Sequence, residues 1–154
     1  GTGSGVLTFL FSRLVGSTGK VVSFEKEERH FRNAKKNIKT FAERDNIELY
    51  HDDTVDCKED GFDAAFIDVR EPWMHFEKAF NLLKESGLIG MIVPTANQVT
   101  DILKEVPGFF GDIEVLELLQ RKYKTVAERV RPFDRMVAHT GYLIFGRKLR
   151  MDTA

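Results

Sequence analysis

The first five residues, Gly-Thr-Gly-Ser-Gly, form a glycine loop that runs directly into an apolar, helix-like segment at residues 6–11. Glycine allows tight turns and lets a ligand lie against bare backbone, and the free N–H groups at the start of a helix attract negative charge. An acid about 20 residues later is expected to bind a ribose, and Glu25 ends the strand-like segment 20–24. The spacing therefore predicts half of a nucleotide-type cofactor site.

Three more polar residues fall where strands are predicted to end: Asp53, Asp68 and Thr95. In open α/β sheets the ligand binds at the carboxyl ends of the strands, so these side chains and Glu25 are candidates for one site. Other interpretations stay open. Glu25 and Asp53 can instead be solvated loop acids. Asp68 can instead cap a helix, and Thr95 with Gln98 fits a capping box.

The elements that would position these residues alternate between helix and strand along most of the chain. Such alternation predicts an α/β fold, with a mainly parallel sheet covered by helices on both faces. The last two strands have only a charged loop between them and should pair antiparallel. The predicted helices are 4–15, 26–42, 71 to near Gly87 and 95–106, and the predicted strands are 21–25, 47–51, 62–69, 88–93, 113–119 and 136–145.

Apolar residues recur at helical spacing in both early helices. The first helix has Leu7, Phe11 and Leu14 on one face. The second would bury Phe31, Ala34, Ile38 and Phe41.

Composition limits the class of protein. The chain has 154 residues, 42% of them hydrophobic and 31% charged, which suits one globular domain over residues 1–154. No apolar run approaches a membrane span, so no membrane association is expected. The one cysteine, Cys57, excludes an internal disulfide and suits a reducing compartment, the cytoplasm. A glycine loop of this kind normally follows a buried strand, so we expect the natural chain to extend further towards its N-terminus.

The charges are uneven along the chain, although the net charge is only −1. Between Asp45 and Asp63, Asp56 among them, eight acids stand against one lysine; between Arg121 and Arg135, six bases stand against two acids. This distribution suits a cationic cofactor in one region and an anionic substrate in another.

The glycine loop, Glu25, Asp53 and the antiparallel last strand resemble the class I S-adenosylmethionine-dependent methyltransferases, which have a Rossmann-like fold. Three further stretches narrow the resemblance to the tRNA (adenine-N1)-methyltransferases that modify the T-loop. They are Asp68–Trp73 (DVREPW), Pro94–Gln98 (PTANQ), and the C-terminal pair Glu128–Pro132 (ERVRP) and Arg135–Leu143 (RMVAHTGYL). The resemblance covers nearly the whole chain but not the family's first catalytic strand or its N-terminal β domain. Asp52 stands where the family usually has a glycine, so the choice between Asp52 and Asp53 stays open.

The resemblance implies methyl transfer from S-adenosylmethionine to N1 of a T-loop adenosine in tRNA, without a metal. It gives Asp68 the catalytic role of binding the adenine amine, and it implies a homotetramer. The residues expected to contact the cofactor are Gly1, Gly3, Ser4, Gly5, Val6, Glu25, His30, Asp53 and Asp68. The residues expected to contact substrate or RNA are Trp73, Thr95, Gln98, Arg129, Arg131, Arg135 and His139.

Two other functions compete with this interpretation. A nicotinamide-dependent oxidoreductase also carries a glycine loop and a ribose acid, but its fingerprint has Gly or Ala at the sixth position, where this chain has Val6. A non-catalytic, tRNA-binding subunit of a methyltransferase complex would keep the fold, but an intact glycine loop together with Asp68 argues against it.

Overall fold

The computed structural model describes residues 1–43, 45–53 and 57–150. Asp56, an acid of the predicted acidic stretch, lies outside the described residues. The chain divides into two compact units, Gly1–Asp60 and Gly61–Ala154. A single domain over residues 1–154 stays a prediction. No described helix is both long enough and apolar enough to cross a membrane.

The first unit contains two helices and a pair of parallel strands. Its strands lie side by side, with Val21 opposite Ile47 and Phe24 opposite Tyr50. A helix connects them, as a parallel pair requires. The elements are α1 (Val6–Leu14), β1 (Val21–Phe24), α2 (Glu28–Phe41) and β2 (Ile47–Tyr50).

The apolar face of α1 is not its buried face. Thr8 and Ser12 are its buried residues, whereas Leu7 is exposed, Leu14 is 80% exposed and Phe11 is only partly buried. The inner face is polar because its hydroxyls have hydrogen-bond partners inside this unit. Apolar periodicity therefore predicted the helix correctly, but its apolar residues do not mark the buried side.

The buried stripe of α2 is shorter than predicted. Ala34 is completely buried, but Phe41 is 63% exposed, so its assignment to the core was wrong. A Cβ at Gly5 would lie 3.3 Å from Ala34 Cα and 3.3 Å from Ile38 Cγ1, which shows how closely α1 begins against α2. Phe41 lies almost one turn beyond this contact, at the last residue of the helix.

The second unit is built on a four-stranded sheet with the order β3-β4-β8-β5. β3 and β4 are parallel, and β8 is antiparallel to both β4 and β5. The prediction of an antiparallel C-terminal strand is therefore confirmed. The elements are β3 (Phe62–Ile67), α3 (Phe76–Leu82), β4 (Leu83–Val93), α4 (Ala96–Glu105), β5 (Phe110–Glu117), β6 (Tyr123–Lys124), β7 (Arg131–Pro132) and β8 (Tyr142–Lys148).

Several predicted boundaries in this unit were wrong. β8 begins at Tyr142 instead of Met136, because Tyr142 already pairs with the ends of both neighbours, Val93 and Glu117. Both neighbouring strands end there, so none of the described strands pairs with residues 136–141. β4 and β5 begin earlier than predicted, and the segment predicted as a charged loop contains the antiparallel hairpin β6–β7.

The core of the second unit is apolar and continuous. Aromatic rings meet at its centre, where Phe76 and Phe80 contact Phe110 edge-on. The sheet contributes Ile89, Met91, Val93 and Ile144, all at most 1% exposed. This core holds the carboxyl ends of β3, β4 and β5 in fixed register.

Candidate functional site

Glu25 is bonded to the glycine loop. Its Oε2 accepts hydrogen bonds from the N–H groups of Thr2 (3.1 Å) and Gly3 (2.8 Å), and its Oε1 accepts one from Glu27 N (2.9 Å). The residue is 7% exposed. Burial raises the pKa of the Glu25 carboxyl, but the N–H groups of Gly3 and Glu27 outweigh burial and lower the pKa below its ordinary value. The sequence interpretation missed this structural role for the carboxylate.

The glycine loop leaves space on one side. Gly3 and Gly5 adopt left-handed backbone angles, with φ of 57° and 84°, which glycine tolerates best. A Cβ at Gly3 would meet no described atom within 4 Å, so a ligand can approach the backbone there. No described side chain caps the start of α1, so its first N–H groups remain available for an anion. Ser4 and Val6 are exposed beside this opening.

Asp52 and Asp53 follow the carboxyl end of β2, and their carboxylates have different contacts. Asp52 Oδ1 accepts a hydrogen bond from Asp53 N (2.8 Å), so the Asp52 carboxylate is used locally. The Asp53 carboxylate lies 3.7 Å from Lys26 Nζ, one residue beyond Glu25. Both carboxylates therefore have a partner within the chain, and the choice between Asp52 and Asp53 as the adenine-binding acid stays a prediction. His30 is exposed on α2, and its charge helps to lower the pKa of Glu25 after the larger effects of burial and backbone hydrogen bonds.

Polar side chains connect α1 to the strands and to the loops beside them. Ser12 Oγ donates to Asn46 Oδ1 (2.5 Å), and Asn46 Nδ2 donates to the carbonyls of Gly16 and Gly19 (3.0 Å each). Nearer the loop, Ser23 Oγ shares hydrogen bonds with the hydroxyls of Thr2 (2.7 Å) and Thr8 (3.1 Å). Sequence reasoning missed these residues. Their only sequence signal was hydroxyl residues at i, i+4 spacing within an apolar helix.

In the second unit, Asp68 follows β3 and is exposed to solvent. Gln98 holds the segment that follows it, because Gln98 Nε2 donates to the carbonyl of Arg70 (2.8 Å). Thr95 caps α4: its Oγ1 accepts from Gln98 N (3.3 Å) and donates to Gln98 Oε1 (2.7 Å). Thr95 is therefore the N-cap of α4, as the predicted capping box requires, but the Gln98 side chain bonds the Thr95 hydroxyl and the Arg70 carbonyl, which connects α4 to the Asp68 segment. Trp73 lies in a short 3-10 helix and packs against the core.

His139 precedes β8 and does not lie on a strand. Its Nδ1 is 2.5 Å from Glu117 Oε1 and its Nε2 is 2.7 Å from the carbonyl oxygen of Pro94. The ring packs against Tyr142, with centroids 4.8 Å apart. Both ring nitrogens are engaged within the chain, and sequence reasoning did not find the partner, Glu117.

The basic segment, residues 121–135, forms a hairpin that we call the basic hairpin. Tyr123 pairs with Pro132, and Phe133 N donates to the carbonyl of Lys122 (3.0 Å). The sequence predicted the charge but not this pairing. The exposed arginines of the hairpin include the predicted RNA contacts Arg129, Arg131 and Arg135.

Comparison with known proteins identifies the family. A family model described as "tRNA methyltransferase complex GCD14 subunit" matches residues 1–134. The chain belongs to this family.

Individual relatives agree with that assignment. The tRNA (adenine(58)-N(1))-methyltransferase TrmI of Thermus thermophilus is 29% identical over 151 residues, covering 96% of this chain and 59% of the relative. The chain therefore spans about three fifths of that relative's length.

Two solved structures share the fold over almost the whole chain. The tRNA (m1A58) methyltransferase TrmI of Aquifex aeolicus has a TM-score of 0.90 and 45% identity, covering 98% of this chain and 61% of its own. A structure titled as a SAM-dependent O-methyltransferase from Thermotoga maritima has a TM-score of 0.94 and 39% identity, covering 100% of this chain and 59% of its own. The predicted class I methyltransferase fold is confirmed.

Proposed function

We propose that this protein transfers a methyl group from S-adenosylmethionine to N1 of a T-loop adenosine in tRNA. The observation that carries the proposal is the exposed Asp68 carboxylate at the end of β3, followed by a segment that Gln98 holds, in a chain of this methyltransferase family. The relatives' printed names support the substrate.

The first unit suits the cofactor. Open space at Gly3 and the uncapped start of α1 fit a ligand that carries an anionic group. Among the described contacts, Glu25 Oε1 accepts one hydrogen bond, so it can accept a second from a ribose hydroxyl. Asp53 would accept from the adenine amine, and Gly1, Ser4, Val6 and His30 would line the site. When bound, S-adenosylmethionine supplies an electrophilic methyl group on a cationic sulfur.

Asp68 would act on the target base. N1 of adenine is a weak nucleophile, and methylation makes the ring cationic and its exocyclic amine more acidic. A carboxylate bonded to that amine binds more strongly as positive charge develops, and it can accept the amine proton. The role requires Asp68 to be ionised and accessible, and its side chain is exposed. The target base must first leave its stack, which costs a few kcal/mol.

The basic hairpin would position the tRNA. Exposed arginines contact phosphates without reading sequence, and such contacts weaken as salt concentration rises. Arg129, Arg131 and Arg135 are exposed on or beside this hairpin. Trp73, Thr95 and Gln98 stay candidates for contacts nearer the base, although the last two are already bonded within the chain.

We also propose a homo-oligomer, a tetramer by resemblance. Large apolar side chains are exposed on and beside β5 and the basic hairpin, and a contiguous exposed apolar surface is typical of an interface. They include Leu118, Leu119, Val126, Val130 and Val137. Light scattering of the full-length protein tests this proposal. A cytoplasmic location also stays a prediction, based on the single cysteine.

The deciding experiment uses the full-length protein, labelled cofactor and unmodified tRNA, followed by nucleoside analysis. The label should lie on N1 of adenosine. Because one similar structure has a title naming an O-methyltransferase, the analysis must separate base methylation from ribose 2′-O-methylation. Label on another atom, or on no nucleoside, would overturn the proposed substrate.

Replacing the acid tests its role. Asp68→Ala should lower turnover by about 100- to 10,000-fold, the range for removing a proton acceptor and an electrostatic contact, while cofactor affinity changes little. Asp63→Asn is the matched control, because Asp63 lies on the same strand and makes an exposed ion pair with Lys84. Near-normal turnover of Asp68→Ala would exclude the catalytic role.

Ligand binding tests the two alternative functions, an oxidoreductase and a non-catalytic subunit. Thermal shifts with S-adenosylhomocysteine and with NAD should show stabilisation by the first only. Stabilisation by NAD instead would favour an oxidoreductase. Failure of the intact protein to bind S-adenosylhomocysteine would favour a non-catalytic subunit.

A further inference from the structure

The hydrogen bonds of His139 define its protonation state. Both ring nitrogens face acceptors: Nδ1 faces the Glu117 carboxylate at 2.5 Å, and Nε2 faces the Pro94 carbonyl at 2.7 Å. A neutral imidazole has one N–H group, so it can donate to only one of these acceptors. The imidazolium donates to both. The geometry therefore favours the charged form.

The surroundings of His139 support that charge. Glu117 at the end of β5 supplies the one charged group among the described contacts of the ring, the carbonyl of Pro94 follows β4, and the Tyr142 ring packs from β8. The hydrogen bond to Glu117 contributes most to raising the pKa of His139, and the Pro94 carbonyl adds to it. Because the folded-state pKa is raised, the contacts are complete at low pH and weaken as pH rises through that pKa.

These contacts join the parts of the second unit that the proposed reaction uses. His139 follows the basic hairpin along the chain and bonds to Pro94, which immediately precedes the cap of α4, Thr95. From Thr95 the hydrogen bonds continue through Gln98 to the carbonyl of Arg70, in the segment after Asp68. His139 is therefore connected to the Asp68 segment through Pro94, Thr95 and Gln98, and to the hairpin through the chain itself.

We propose that His139, as the imidazolium, is a positioning residue that fastens the segment 133–141 to the carboxyl ends of β4 and β5 and so sets the placement of the basic hairpin and the Asp68 segment. This inference rests on the proposed function. It assigns His139 no contact with RNA, because both ring nitrogens are occupied by the protein itself.

The pH dependence of methylation by the full-length protein tests the inference. In the wild type, kcat/KM for tRNA should fall as pH rises through the pKa of His139. His139→Gln should lower kcat/KM at low pH by about 10- to 100-fold, the range for one hydrogen bond to a charged group, and should remove this pH-dependent fall. Affinity for S-adenosylhomocysteine should not change.

A second variant separates positioning from a purely structural role. Glu117→Gln keeps an acceptor but removes the negative charge, so the pKa of His139 falls and the decline in kcat/KM should move to lower pH. Lys84→Gln is the control, because it breaks an exposed ion pair (2.8 Å to Asp63) where β3 and β4 begin. This control should keep the wild-type profile.

Nuclear magnetic resonance of histidine-labelled protein reads the protonation of His139 without activity, with the resonance assigned by its loss in His139→Gln. An ordinary histidine pKa would overturn the inference, as would a wild-type pH profile in His139→Gln or an unmoved decline in Glu117→Gln. If the wild type methylates no nucleoside, the proposed function fails. The pH dependence of tRNA binding in the same variants then decides whether His139 positions the hairpin.

Discussion

The two units of the chain are each stabilised internally by a different kind of interaction. All the buried polar side chains among the described residues lie in the first unit: Thr2, Thr8, Ser12 and Glu25. Among the described residues of this unit, the buried apolar ones are Ala34 and Cys57. The second unit buries a continuous apolar cluster from Ile67 to Ile144. The unit with the glycine loop is therefore fixed by directional hydrogen bonds, and the other by packing.

This difference has consequences for function. Apolar burial is non-directional and contributes most of the stability, whereas hydrogen bonds fix orientation. Glu25 fixes the geometry of the glycine loop by accepting hydrogen bonds from two of its backbone N–H groups. In the second unit, packing fixes the sheet, and hydrogen bonds appear where the strands end, at Gln98 and His139.

The largest effect on stability should come from the apolar core. Phe76 is 1% exposed and contacts Phe110 edge-on, so Phe76→Ala should lower the free energy of unfolding by about 3–5 kcal/mol. Phe41→Ala is the matched control, because Phe41 is 63% exposed. Chemical denaturation measures both. Equal losses of stability for Phe76→Ala and Phe41→Ala would show that the two units are stabilised alike, which would contradict the difference in buried residues described above.

A smaller loss should follow from removing the polar anchor of the first unit. Asn46 bonds to Ser12 and to two carbonyls, and Asn46→Ala leaves these groups without their partner, at a cost of about 1–3 kcal/mol. Asn81→Ala, at an exposed position on α3, should cost almost nothing. A neutral Asn46→Ala would mean that these hydrogen bonds do not hold α1 in place.

The same difference explains how much of the fold the sequence predicted. Apolar periodicity identified the core strands and helices of the second unit because burial there follows hydrophobicity. It did not identify the buried face of α1, because Thr8 and Ser12 are buried by hydrogen bonds to residues distant in the chain. The predicted start of β8 was wrong for a related reason. β8 begins at Tyr142 because its two partner strands, β4 and β5, end opposite that residue, and the sequence of β8 alone does not show where they end.

The candidate site also has features that the sequence could predict and features that it could not. The placement of Glu25, Asp53 and Asp68 after the ends of strands could be predicted because their spacing follows the alternation of strands and helices, and their roles stay predictions. The hydrogen bonds that Glu25 accepts from the loop N–H groups, and the one between His139 and Glu117, join residues 22 positions apart or more, and no local pattern indicates them. The N-cap at Thr95 is local and was predicted, but the hydrogen bond from Gln98 to Arg70 spans 28 positions.

Acid should affect the first unit through Glu25. Its pKa lies below the ordinary 4.5, so its ionised form contributes stability above that pH, and the contribution is lost as pH falls through the folded-state pKa. Glu25→Gln should therefore be less stable than the wild type at neutral pH, with the difference shrinking below pH 4.5. Thermal melts across this range measure it. Glu114→Gln, at an exposed position, should show no such convergence.

The smallest effect should come from the apolar outer face of α1. Leu14 is 80% exposed, so Leu14→Ser should change the free energy of unfolding of the 154-residue chain by about 0.5 kcal/mol or less. Leu83, the same residue type at 3% exposure, supplies the contrast, because Leu83→Ala should cost about 2–5 kcal/mol. A large loss for Leu14→Ser would mean that this face is covered in solution. Repeating the melts at several protein concentrations would then show whether a second copy covers it, since only an intermolecular contact makes the loss depend on concentration.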